Sequence, residues 1–319
     1  MRACLMEDKT LARLHDGHTR GTIMFGAACD AVLAVIVTGS LGGGQDGQLS
    51  LLPASLAAAT AAVSLVVFGG VLNDLLDYRR DEVLGGSSPV PATGPAIIVL
   101  VGSLLLAMFA ASVLGGDASF VMLVLAALLL FHTAVSRFIP GIGLLVPGAL
   151  LAGVMLIPDW RMPLPSAVWM LMTIIVATSV GVHILADKRP VLSLRAVPAV
   201  IAGWVVMSGV ILTLQAGRGW AIWPEDVSIA MVLWPLAALT LLGAVVRWKI
   251  ATASSRRSAA GKVVRYVSLW QPMLGASWCA AIGAWTAATG FVLVGVAGLL
   301  VIGGFREFTG VSGKDPGWR

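Results

Sequence analysis

The residues whose types and spacing could do chemistry lie in one acidic segment, residues 71–82. Asp74, Asp77 and Asp81 are separated by three and four positions. At about 100° per residue these three carboxylates fall within an arc of roughly 60° on one helical face. Asn73, which is the only Asn in the chain, adjoins that face. Three like charges on one face repel each other, but they become favourable around a divalent cation. Oxygen-only ligands of this kind suit Mg²⁺.

A second interpretation of the acidic segment needs no metal ion. The same carboxylates could cover a solvated helix end and pair with Arg79, Arg80 and other loop cations. The position of the segment favours a site, because the acids continue a long apolar stretch. They would therefore lie at the mouth of a helix bundle. Both interpretations remain open at the level of the sequence.

The composition identifies the kind of protein that must position these acids. Of the 319 residues, 58% are hydrophobic and 12% are charged, and the mean hydropathy is +0.93. Soluble domains carry about 25% charged residues. This excludes a soluble enzyme, a disordered chain and a collagen-like chain, and it indicates a polytopic membrane protein. The apolar runs are continuous rather than alternating, which predicts helices and not a β-barrel.

The sequence predicts an all-α membrane bundle of about nine transmembrane helices in one domain. Residues 1–19 form a cytoplasmic tail, residues 20–304 form the bundle, and residues 305–319 form a C-terminal tail. The last apolar block, 270–304, is too long for one upright span, so a break near 286–290 would make ten helices. We predict that 248–268 is a basic loop lying on lipid headgroups. The predicted spans are 20–40, 51–73, 95–115, 118–136, 140–158, 165–186, 196–217, 227–247 and 270–304.

The distribution of Lys and Arg predicts the orientation in the membrane. On this topology 16 of the 21 cationic residues lie on the N-terminal side, and only Arg161 and Arg218 lie in loops on the other side. Short loops rich in Lys and Arg stay in the cytoplasm. We therefore expect a multi-pass protein of a bacterial-type cytoplasmic membrane, with its N-terminus and acidic segment on the cytoplasmic side. The net charge of +5 then reflects contact with membrane lipids and not with nucleic acid.

One carboxylate lies inside a predicted span and away from its ends. An ionised Asp30 at the middle of the bilayer would cost several kcal/mol, so it should face a cavity or be protonated. It could orient an acceptor or act as a general base, or it could be a neutral acid hydrogen-bonded between helices. Five tryptophans also lie deep in the predicted spans: Trp169, Trp204, Trp234, Trp278 and Trp285.

The pattern Asn73-Asp74-x-x-Asp77-x-x-x-Asp81, at the end of the second of about nine spans, resembles the first signature of the UbiA-type intramembrane prenyltransferases. The following Pro-Val-Pro-Ala-Thr-Gly at 89–94 is similar to a loose form of the Arg-Pro-x-Pro-Ser-Gly segment of that family. The resemblance covers almost the whole chain in length and span order. It implies a UbiA-like fold and a second acidic motif on the sixth span.

The second motif departs from the family pattern, which reads Asp-x-x-x-Asp. Asp187 matches the second acid, whereas His183 occupies the place of the first. Neutral His can bind a metal or a phosphate oxygen but supplies no negative charge. It could equally be a helix-end histidine held by a carboxylate such as Asp187. Ser88 replaces the Arg before Pro-x-Pro, and Arg137 is the one basic candidate left between spans four and five.

The resemblance implies transfer of an isoprenoid group from a prenyl diphosphate donor to a lipophilic or aromatic acceptor. Asp74, Asp77, Asp81 and Asp187 would hold Mg²⁺ and act as the catalytic carboxylates. The remaining candidates would contact the substrate: Asn73, Arg137, His183, Lys188 and Arg189. Two alternatives stay open, a UbiA-type terpene cyclase and a non-catalytic relative that binds or transports a lipid or isoprenoid.

Overall fold

The structure is a computed structural model that describes residues 2–41, 50–83, 93–135, 139–187, 192, 196–216, 223–224 and 227–311. Ten α-helices and one short 3₁₀ turn, Ile229–Val232, make up the described part of the chain, with no strand among those residues. The helices are α1 Arg2–Leu41, α2 Leu51–Val83, α3 Thr93–Leu114, α4 Gly116–Val135, α5 Pro140–Met155, α6 Pro165–Leu185, α7 Ala196–Ala216, α8 Leu233–Ala251, α9 Arg256–Ala281 and α10 Trp285–Val311.

Eight of these helices are long and apolar enough to cross a membrane. They are α1, α2, α3, α4, α6, α7, α8 together with its preceding turn, and α10. The apolar part of α5, Gly141–Met155, is shorter. The predicted polytopic helical membrane bundle is therefore confirmed.

The last apolar block contains the break that the sequence left open. Helix α9 ends at Ala281 and α10 begins at Trp285. The turn lies a few residues before the predicted break at 286–290. Gly283 has a φ of +79°, in the left-handed region that glycine adopts without a Cβ penalty.

The predicted loop at 248–268 is wrong, because most of this segment is helical. Ser255 caps the N-terminus of α9, and its Oγ accepts a hydrogen bond from the Ser258 backbone N–H at 3.1 Å. Small apolar side chains alternate with the cations, so one face of the helix packs into the bundle. Its buried residues include Ala259, Ala260, Val263 and Val267, and Arg265 is only 6% exposed. A count of cations along the sequence could not separate the buried apolar face of this helix from the face that carries most of the cations.

Helix α1 connects the two halves of the bundle. One apolar cluster joins α1 and α5 with α6–α10, and a second joins α1 and α5 with α2–α4. Helices α1 and α5 also contact each other directly. Helix α9 in turn packs against α1, α6, α8 and α10. These contacts place α1, α5, α6 and α9 around the centre of the larger half.

Helices α1 and α9 cross closely at a glycine. A Cβ on Gly26 would lie 3.0 Å from the backbone O of Ser268 and 3.1 Å from Cγ of Gln271. Further along, Leu33 of α1 shares a cavity with Trp278 of α9. Residue numbers therefore rise together along both helices, so the two helices run parallel. Small residues permit such close packing in membranes.

We expect Gly26→Val to destabilise the protein by about 1–3 kcal/mol, because the added side chain must push α9 away from α1. The matched control is Gly39→Val on the same helix, where an added Cβ meets no atom within 4 Å. Unfolding of the purified protein in detergent measures both changes. Equal effects of the two substitutions would contradict the close crossing.

Candidate functional site at one end of the bundle

The predicted acidic segment lies on the final turns of α2. The helix continues through the acidic segment to Val83. Asp74, Asp77 and Asp81 are therefore on one continuous helix, as the spacing predicted. Asn73 is exposed and Asp74 is partly exposed. The side chains of Asp77 and Asp81 lie outside the described residues.

Asp74 is held by a cation on the neighbouring helix. Arg20 donates from Nη1 to Oδ2 of Asp74 at 2.6 Å and from Nη2 to Oδ1 at 2.5 Å. Both side chains are about two-fifths exposed, at 41% and 40%. The paired geometry fixes the carboxylate plane more firmly than a single contact would. It also joins α1 to the acidic end of α2.

The role of Arg20 was not predicted, since in the sequence it is only one of the cations that indicate the orientation. Its position at the edge of the first apolar span was the available signal. Nothing in the sequence pairs it with an acid 54 positions away. A cation that holds Asp74 belongs to the site as much as the predicted residues do.

The second predicted motif lies where α6 ends. His183 is partly buried in the last turn of α6, and Asp187 is exposed two residues beyond Leu185. Asp187 has a φ of +49°, a left-handed conformation that Asp tolerates better than most residues. Three predicted contacts with the substrate, Arg137, Lys188 and Arg189, lie outside the described residues.

Both motifs lie at the same end of the bundle. Arg256 at the start of α9 donates from Nη2 to the backbone O of Ile184 at 3.3 Å, which brings the end of α6 to the start of α9. Because α1 and α9 run parallel, Arg20 lies toward this same end. Its partner Asp74 therefore shares an end with His183 and Asp187. A single site formed by the two motifs would require this shared end, and that site stays a prediction.

The predicted metal set stays a prediction, because the side chains of Asp77 and Asp81 lie outside the described residues. Among the described side chains, no three His, Cys, Asp or Glu residues form a group that could hold a metal ion. Both oxygens of Asp74 contact Arg20. The residue types nevertheless fit Mg²⁺, since Asp74, Asp77 and Asp81 supply the oxygen ligands that this ion prefers. Binding a metal ion there would need Asp77 and Asp81.

A second polar location lies deep in the bundle, in a small cavity between α1, α5, α6 and α9. Asp30 and Gln271 line it and are 4% and 2% exposed. Trp278, one of the five deep tryptophans, also lines it. The sequence had singled out Asp30 but not Gln271. The available signal was one amide side chain within the uncharged stretch 266–305.

Two other acids have partners elsewhere in the bundle. Asp117 accepts a hydrogen bond from the indole N–H of Trp160 at 3.0 Å. Asp159 accepts one from the backbone N–H of Arg161 at 2.8 Å. Asp117 begins α4, and Asp159 lies in the turn that follows α5. These contacts secure the connection between helices, so both carboxylates serve as controls for the acidic end of α2.

No family model matches the chain, and no curated protein matches it. A solved structure, described as giving structural and mechanistic insights into digeranylgeranylglyceryl phosphate synthase in membranes, is similar in fold. The TM-score is 0.50 at 16% sequence identity, and the alignment covers 83% of this chain and 97% of that one. That synthase is a UbiA-type intramembrane prenyltransferase. At this identity the likeness concerns the fold, and the chain is accordingly a multi-pass helical membrane bundle with a UbiA-like fold.

Proposed function

We propose that the chain is a membrane prenyltransferase, which moves an isoprenoid group from a prenyl diphosphate to a lipophilic acceptor. The observation that carries the proposal is the acidic extension of α2. It presents Asp74 at one end of a bundle whose fold is that of a UbiA-type prenyltransferase. The end of α6, with His183 and Asp187, lies at the same end of the bundle.

The residues that would hold Mg²⁺ in this proposal are Asp74, Asp77, Asp81 and Asp187. Bound there, the ion would neutralise the diphosphate and stabilise it as a leaving group. Arg20 fixes the orientation of the Asp74 carboxylate. Arg137, Lys188 and Arg189 would add charge-assisted hydrogen bonds to phosphate oxygens, and Asn73 and His183 would add further polar contacts.

The rest of the substrate would lie in the apolar part of the bundle. An isoprenoid tail has no polar groups, so it can pack against the apolar parts of the helices while the diphosphate stays at the acidic end. On this proposal the acidic end faces the cytoplasm, where the Lys- and Arg-rich loops are also expected.

Incubation of the purified protein with Mg²⁺ and farnesyl or geranylgeranyl diphosphate tests the proposal. We expect pyrophosphate release that depends on a lipophilic or aromatic acceptor. Asp74→Ala or Asp77→Ala should lower the rate at least about 100-fold, because each removes a carboxylate that would hold the Mg²⁺ needed to stabilise the leaving group. The controls Asp117→Asn and Asp159→Asn should retain activity.

The products of the same incubation separate the alternatives. Release without an acceptor, together with a hydrocarbon product, would indicate a terpene cyclase in place of a transferase. No release with either donor, and no effect of Asp74→Ala, would reject both enzymatic functions. A non-catalytic relative would then remain.

His183→Asp should preserve or raise the affinity for Mg²⁺, because it restores a negative charge that neutral His lacks. The Mg²⁺ concentration that gives half-maximal pyrophosphate release measures this affinity. His183→Asn, which adds no charge, is the control. A large loss of Mg²⁺ affinity in the Asp variant would mean that the imidazole has a different role.

The Arg20–Asp74 pair should show a coupling free energy of about 0.2–1 kcal/mol, the range of partly exposed ion pairs. Unfolding in detergent of Arg20→Gln, Asp74→Asn and the double variant gives this value. Raised salt should reduce it. Arg20→Lys keeps the charge but not the paired geometry, so it should recover only part of the coupling. Strictly additive single effects would show that the pair does not form.

A further inference from the structure

A concentration of positive charge surrounds the turn that joins α8 to α9. Six of the 21 Lys and Arg residues of the chain lie within residues 247–265, and the proposed prenyl transfer uses none of them. No Asp or Glu occurs in residues 227–306, so no acid nearby in the sequence compensates these charges. The six cations are Arg247, Lys249, Arg256, Arg257, Lys262 and Arg265.

Helices α8 and α9 form an antiparallel hairpin that fixes the position of these cations. Nζ of Lys262 donates a hydrogen bond to the backbone O of Thr252 at 3.0 Å, next to the turn. Farther from the turn, the indole N–H of Trp270 donates to the backbone O of Ala238 at 3.1 Å. Residue numbers therefore rise along α9 as they fall along α8. The cations lie on a helical hairpin of defined geometry.

The ammonium group of Lys249 is held between the two helices. Its Nζ lies 4.0 Å from the ring centroid of Trp248 on α8 and 4.6 Å from that of Tyr266 on α9. These cation–π contacts fix the position of the charge but supply no acceptor oxygen. Within the described part of the chain, no hydrogen bond or ion pair involves Lys249. Its three N–H donors therefore remain for an anion.

Lys262 brings a second ammonium group to the same side of the hairpin. Lys262 lies one turn before Tyr266 on α9, and its acceptor Thr252 lies one turn after Lys249 on α8. Both lysines are partly exposed, so an anion can reach them. Two like charges on one side of the hairpin repel each other, whereas an anion that contacts both is attracted.

The surface beside these lysines is apolar. The span Ile229–Ala251, which contains α8, is long and apolar enough to cross a membrane, and it ends two residues after Lys249. Leu241 and Trp248 lie seven residues apart on one face of α8 and are 57% and 58% exposed. Tryptophan is typical of the boundary between lipid and water. The two lysines therefore lie where an apolar helix surface meets the layer of lipid phosphates.

We propose that the α8–α9 hairpin binds the phosphate group of an anionic phospholipid, with Lys249 and Lys262 as its ligands. An acyl chain of this lipid lies along the exposed face of α8 that includes Leu241 and Trp248. A zwitterionic lipid binds less well, because the lysines repel its ammonium group and no nearby acid attracts it. The sequence predicted only general contact of this segment with headgroups, whereas the hairpin specifies two lysines and one class of lipid. The proposal does not rest on prenyl transfer.

Native mass spectrometry of the purified full-length protein in detergent tests the proposal. The probes are phosphatidylglycerol and phosphatidylcholine with identical acyl chains. We expect the wild type to bind phosphatidylglycerol about tenfold more tightly than phosphatidylcholine. Lys249→Gln and Lys262→Gln should each weaken phosphatidylglycerol binding about fivefold, because each removes one cation from the site. Lys249→Arg keeps the charge and should largely retain the binding of the wild type.

The matched control is Arg161→Gln. Cζ of Arg161 lies 5.3 Å from the ring centroid of Trp160, so this cation also contacts a tryptophan. It precedes α6 and therefore lies at the opposite end of the bundle from the α8–α9 turn, with Asp159 beside it. Arg161→Gln should bind phosphatidylglycerol as the wild type does. An equal loss in this variant would mean that total charge determines binding, and would overturn the proposal.

Two other results would also overturn the proposal. One is equal affinity of the wild type for the two lipids, which would indicate contact with headgroups in general. The other is displacement of phosphatidylglycerol by an equal concentration of glycerol 3-phosphate, which carries the phosphate without acyl chains. That displacement would indicate a site for a soluble phosphate compound, and we expect none.

Discussion

The cost of placing a polar group in the hydrocarbon core governs the whole structure. Backbone groups in that region can be satisfied only within helices or a closed barrel, and this chain forms helices throughout its described part. Most charged side chains consequently lie near helix ends or in the connections between helices, where water and headgroups can reach them. Among the described residues, Asp30 and Arg265 are the charged side chains that are buried, and Gln271 is a buried amide. Two of these three residues line one cavity, and that clustering distinguishes it from the surrounding apolar packing.

Helix α1 connects the two polar locations. Near its membrane boundary Arg20 binds Asp74 of α2, and deeper in the bundle Asp30 lines the cavity shared with α9. Between them, Gly26 lets α1 and α9 approach closely. A displacement of α1 would therefore act on both the acidic end and the cavity. The two locations differ in exposure, because Arg20 and Asp74 are about two-fifths exposed, whereas Asp30 and Gln271 are buried.

Much of the fold could be predicted because membrane helices carry a strong local signal. The predicted spans lie on helices, except that the last one, 270–304, contains the break between α9 and α10. The spacing of Asp74, Asp77 and Asp81 indicated that α2 continues past its apolar part. The prediction failed at 248–268, where cations and small apolar residues alternate on different faces of α9. A count of charges does not distinguish the two faces of a helix. It therefore indicated a loop at 248–268. For the candidate site, the sequence indicated which helix ends carry acids but not which cation holds Asp74.

The sequence by itself determined the helical class, the approximate spans and the concentration of acids at the end of α2, since each depends on residues near each other in the chain. Only the tertiary structure decided that Arg20 binds Asp74 across 54 positions and that the ends of α2 and α6 share one end of the bundle. It also brought Asp30 and Gln271 to one cavity. These pairings depend on how helices rotate and cross. Helix packing sets the rotation and crossing of the helices through contacts such as that between Gly26 and Ser268. No local sequence pattern encodes this geometry.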